Sequence, residues 1–101
     1  MDKVLEWLGS DTPIHLSFDI DALDPLWAPS TGTVVDDGLT LREGQVIASR
    51  LAASGNMIAM DLVEINPTIE EERATETIRA GCSIILCALG AVPPGETPFI
   101  E

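Results

Sequence analysis

The chain of 101 residues carries 17 acidic and 5 basic side chains, a formal net charge of −12, and 46% of its residues are hydrophobic. Such acidity argues against a nucleic-acid partner, because phosphate binding needs clustered Lys and Arg; it favours the attraction of cations, metal ions among them. The length suits one small α/β unit, and so high an apolar content in so short a chain points to surface that faces more protein.

Asp2 to Leu8 sets Val4, Leu5 and Leu8 at helical spacing, with Gly9 as a stop, and reads as the tail end of a helix. Ser10 to Pro13 is a turn. Residues 14–18 are a short, mostly apolar run that suits a strand buried on both faces. This strand runs straight into Asp19 and Asp21, which would point the same way if strand geometry persists. Two such carboxylates repel one another, and the usual remedies are a shared proton, a basic partner or a hard cation with oxygen ligands. Taken alone, Asp-x-Asp is a weak signal and reads more readily as an Asx turn or a helix cap at the strand end.

Residues 22–40 form a long loop holding Pro25, Pro29, Gly32 and Gly38, the kind of segment that covers a site, with Trp27 packing it down. Thr40 and Glu43 make a capping box for a helix running to about Ser54, with Val46, Ile47, Leu51 and Ala52 on its apolar side and Gly55 ending it. Residues 57–63 read as a second buried strand. Strand, loop, helix, strand is a βαβ unit, which predicts parallel strands and a ligand site beyond their carboxyl ends. That rule puts Asp19, Asp21 and Glu64 at one edge. Pro67 closes a turn, and a helix beginning at Thr68 or Thr75 runs to about Leu89 with a strongly apolar middle. Residues 1–92 make the domain and 93–101, with Pro93, Pro94 and Pro98, a tail that is disordered or bound to a neighbour.

Cys82 and Cys87 fit no zinc spacing and read as core thiols in a reducing cytosol. Glu70, Glu71, Glu72 and Glu76 read as solvated surface, and His15 as structural. No apolar run approaches the roughly 20 residues that span a bilayer. No signal peptide is visible, and these features together predict a cytoplasmic protein.

The run Asp19-Ile20-Asp21-Ala22-Leu23-Asp24-Pro25 is followed by Ala28-Pro29-Ser30-Thr31-Gly32-Thr33 and Gly38-Leu39-Thr40-Leu41-Arg42-Glu43-Gly44. With Asp61-Leu62-Val63-Glu64-Ile65-Asn66-Pro67 and the helix at Gly81-Cys82, it resembles the signature of the arginase and ureohydrolase family. The resemblance covers most of the chain but only the C-terminal part of such an enzyme. It implies a fragment of a three-layer α/β fold with a parallel sheet, here two strands and about three helices. It further implies a pair of Mn²⁺ ions with Asp19 and Asp21 as ligands, Asp19 bridging, and hydrolysis of L-arginine to L-ornithine and urea. Glu64 would accept hydrogen bonds from the substrate guanidinium, and Thr33 would line the site. Asp24 would orient the loop, and Asp61 would support the ligands from behind. Arg42 and Glu43 would serve contacts in a trimer or hexamer.

The turn Glu64-Ile65-Asn66-Pro67 resembles arginase more than agmatinase, whose turn usually has Ser-Pro; agmatinase is the enzymatic alternative. Val34 and Asp37 stand where the family usually has Pro and Gly, and Asp37 would be strained if that position needs positive φ. The family's other ligands, a His and an Asp-x-His-x-Asp segment, have no counterpart in these residues. The expectation is weak Mn²⁺ binding and no turnover by the 101 residues alone. A non-catalytic fragment that assembles through its apolar edge is the alternative from a different class.

Overall fold

A computed structural model describes residues 1–96. Its elements run α1 (Asp2–Leu8), β1 (Ile14–Asp19), α2 (Leu41–Ala53), β2 (Met57–Val63) and α3 (Ala74–Ala88), with single 3₁₀ turns at Ile20–Ala22 and Glu71–Arg73. The two strands pair in parallel, His15 opposite Ala59 through Asp19 opposite Val63, with one irregularity between Ile14 and His15. Two parallel strands and three helices agree with the fragment expected of a parallel α/β fold. Among the described residues, no helix is long and apolar enough to cross a membrane.

Among the described residues, one face of the sheet is covered and the other is open. Phe18, Ile20 and Leu23 pack with Ala48 of α2 and with Ala80, Ile84, Cys87 and Ala88 of α3, while Leu16, Met60 and Leu62 border the same cluster. Residues of opposite parity, His15, Ser17, Ala59 and Val63, are exposed. The expectation of strands buried on both faces is therefore corrected. Among the described residues the α2–α3 layer shields one side alone, so β1 alternates in burial despite its composition, while in β2 Met57, Met60, Asp61 and Leu62 are half-buried and Ile58, Ala59 and Val63 exposed. Close approach of α3 to β2 depends on Gly81, where a Cβ would stand 2.8 Å from Ile65 Cδ1 and 2.9 Å from Leu62 Cδ2.

The capping box forms as expected: Glu43 N–H donates to Thr40 Oγ1 at 3.1 Å and Thr40 N–H to Glu43 Oε1 at 2.9 Å. The apolar side of α2 is rotated from the expected one. Gly44, Gln45, Ala48 and Leu51 are buried, whereas Val46 and Ile47 are half-buried. Gln45 is inward because its amide serves the backbone, donating to Glu96 O at 3.0 Å and accepting from Gly95 N–H at 2.9 Å. The helix after Pro67 begins at Ala74, one residue before Thr75, behind the 3₁₀ turn. Cys87 is buried and Cys82 half-buried, both as free thiols, and desolvation pushes the Cys87 thiol up from its ordinary pKa. The tail through Glu96 lies on α2; Pro98 and the rest of residues 97–101 fall outside the described residues.

Candidate metal centre

Asp19 is the last residue of β1, and the chain then turns at once into the 3₁₀ segment that carries Asp21. The two carboxylates are thus not alternate residues of one strand, as the spacing predicts. They are held together by a local bond instead: Asp21 N–H donates to Asp19 Oδ1 at 3.0 Å, with Asp19 as N-cap. This bond fixes the Asp19 carboxyl and leaves Oδ2 outside the cap.

Asp19 faces Val63 across the ladder, so Glu64 leaves β2 at the same edge. Electrostatics record the convergence. Desolvation, then the neighbouring Asp19, then the more distant charge of Glu64 all push the Asp21 carboxyl above the usual carboxylate range. Three acidic side chains gathered at one sheet edge are a poor arrangement for stability, and neutralisation by a cation would relieve it.

The loop behind this edge is stitched down by polar groups. Asp24 accepts from Leu26 N–H at 2.9 Å and from Gly38 N–H at 3.2 Å, closing the two ends of the loop on one carboxylate. Gly38 lies so near that backbone that a Cβ would stand 2.7 Å from Asp24 N and 2.9 Å from Leu23 C. Asp37 beside it has φ +58°, so the condition named for strain at this position is met. Further along, Ser30 N–H donates to Thr77 Oγ1 at 3.0 Å, Asn66 N–H to Ser30 O at 3.0 Å, and Thr31 Oγ1 to Glu64 O at 2.7 Å. Ser30 O–H donates to Asn66 O as well.

The remaining sequence-predicted residues are exposed or half-buried. Thr33 is exposed; the buried hydroxyls of this loop belong to Ser30 and Thr31. The resemblance implies that Asp61 supports the ligands from behind. It is half-exposed on the open face opposite Ser17, and its carboxylate is taken up by Ser17 Oγ at 2.6 Å and His15 Nε2 at 2.8 Å. Burial does not force that pairing; strand register does, by placing His15 and Ser17 beside it. Arg42 and Glu43 are exposed at the start of α2, the Glu43 carboxylate engaged in the capping box.

Sequence reasoning missed Ser30, Thr31 and Thr77. A signal exists for Thr77, which occupies a core-phase position between Ala74, Ala80 and Ile84 on α3, where a polar residue needs a partner.

The donor set suits Mn²⁺ in kind, since it is all oxygen and anionic. In number it falls short: among the described residues no group of three or more His, Cys, Asp or Glu side chains is placed to hold an ion.

A sequence model described as the arginase family matches residues 1–90. The chain belongs to the arginase family. It is 62% identical over 90 residues to an arginase of Coccidioides posadasii, covering 89% of this chain and 28% of that one. An Entamoeba histolytica arginase solved in complex with L-ornithine superposes with a TM-score of 0.78 at 32% identity, over 88% of this chain and 29% of that one. A structure described as a hypothetical agmatinase from Burkholderia thailandensis gives 0.71 at 33% identity, over 88% and 28% respectively. The chain thus spans under a third of the length of these arginase-family relatives.

Proposed function

We propose that this chain supplies an arginase with two aspartate ligands for a manganese pair and with the acceptor for the substrate guanidinium. The observation that carries this reading is the gathering of Asp19, Asp21 and Glu64 at the carboxyl ends of adjacent parallel strands. Asp19 and Asp21 would hold the metal; the other ligands would come from polypeptide beyond these residues. When bound, such ions supply Lewis-acid chemistry and lower the pKa of water so that it attacks at neutral pH. The chain's own part is positional. The Asp21 N–H keeps the Asp19 carboxyl plane fixed, and the Glu64 carboxylate offers a planar, multi-donor cation two acceptor oxygens. The product pair would be L-ornithine and urea, and the L-ornithine bound in the Entamoeba relative supports that choice. A cytoplasmic location and a trimer or hexamer using Arg42 and Glu43 belong to the same proposal.

The test is a graft of this chain in place of the matching residues of a full-length fungal arginase. The graft should release urea from L-arginine in a manganese-dependent way and prefer L-arginine to agmatine. Asp21→Asn should cut kcat/KM by more than about a hundredfold, beyond what losing an outer hydrogen-bond partner costs. A folded graft that keeps its activity with Asn at position 21, or that prefers agmatine, overturns the reading.

One observation favours a second reading, a non-catalytic assembly fragment. A groove of about 520 Å³ runs along β2 beside α3, lined by residues 57–62 with Ile85, Ala88 and Leu89. Ile58 and Leu89 stand 75% and 73% exposed beside it. Light scattering of the 101 residues separates the readings: a monomer that binds Mn²⁺ at micromolar concentration excludes the fragment role.

A further inference from the structure

Glu64 is not glycine, yet its backbone has φ +74°. A side chain in the left-handed region is unfavourable unless surrounding contacts impose it, and glutamate lacks the short side chain that lets Asn or Asp settle there. Among the described residues, the hydrogen bond to the Glu64 carbonyl comes from the loop before α2. Thr31, 2% exposed, donates its hydroxyl to the Glu64 carbonyl at 2.7 Å, and an antiparallel bridge joins Thr31 to Ile65. Thr31 is itself held, because its neighbour Ser30 is fully buried and tied to Thr77 of α3 and to Asn66 beyond the turn. The left-handed residue therefore sits between the end of β2 and a loop anchored on a helix.

We propose that Thr31 is the positioning residue of Glu64: its buried hydroxyl holds the Glu64 carbonyl, keeps that residue left-handed and so aims the carboxylate at the Asp19–Asp21 edge. Thr31 touches neither metal nor substrate; it acts through Glu64. The importance of the aim rests on the reading of Glu64 as the guanidinium acceptor, whereas the positioning itself does not. Without the hydroxyl, Glu64 returns to an ordinary negative φ and its side chain leaves the edge. This also explains the buried Thr in a loop whose next threonine, Thr33, is exposed.

The experiment uses the 101-residue chain, with neither manganese nor arginine, so its outcome is independent of the arginase reading. A left-handed residue gives a strong intraresidue NOE between its amide proton and Hα. That cross-peak should be present for Glu64 in the wild type, lost in Thr31→Val and restored in Thr31→Ser. Thermal unfolding supplies the control. Thr31→Val should lower the melting temperature by about 5 °C in the wild-type background and by less than half as much beside Glu64→Gly, because glycine adopts positive φ unaided. Should Thr31→Val alone fail to fold, recovery of folding in Thr31→Val/Glu64→Gly supports the proposal, and failure of the double variant overturns it. An unchanged Glu64 cross-peak in Thr31→Val, or equal melting losses in both backgrounds, overturns it as well.

Discussion

Asp61 accepts hydrogen bonds from two side chains of the neighbouring strand, and its pH behaviour follows from them. The Ser17 hydroxyl first, and His15 second, hold its carboxyl below the usual carboxylate range. A depressed folded-state pKa contributes stability that is present above the unfolded value near 4 and lost as pH falls through the folded value. The stability of Asp61→Asn should therefore converge on that of the wild type as pH drops from 5 to 2.5, as followed by urea midpoints. A constant gap across that range would show that the carboxylate takes no part. Asp37 gives a second expectation at this scale, since it adopts φ +58° without being glycine. Asp37→Gly should raise unfolding free energy by roughly 0.5–1 kcal/mol, measurable by urea titration.

At the scale of elements, α2 is the part most openly written in the chain. Thr40 and Glu43 satisfy two backbone donors at its start, and Gly55 with φ +78° follows its end. Thr40→Ala should cost about 1 kcal/mol in urea unfolding, while Thr40→Ser should restore most of it. The inward face was harder to read. Leu51 falls where periodicity puts it, but Gln45 is 1% exposed because residues 95 and 96 offer its amide a backbone partner. A polar residue at a core position is legible only when its partner is known. The strands show the same limit from the other side. Residues 14–18 and 57–63 are apolar enough for burial on two faces, yet the described elements cover one.

For the whole molecule, a charge of −12 and an open apolar groove pull in opposite directions. Repulsion among carboxylates disfavours both the compact state and the approach of a second copy, and salt screens it over about 10 Å at 0.1 M. Raising NaCl from 10 to 300 mM should stabilise the fold by on the order of 1 kcal/mol and should increase light scattering. Ile58→Lys, on the exposed side of β2, should abolish the rise in scattering while leaving the gain in stability. Scattering that rises equally in that variant would place self-association elsewhere.

The limits of α1, the capping box of α2, the strand–helix–strand order that makes the strands parallel and the acidic residues at the end of β1 were determined by the sequence alone. Each depends on contiguous residues: periodicity, a cap three positions from its partner, a turn signal. The tertiary structure alone decided that Thr31 holds the carbonyl of Glu64, 33 positions away, that His15 and Ser17 capture Asp61, and which sheet face stays open. Those outcomes depend on which segments come to lie side by side, and no local pattern carries that information.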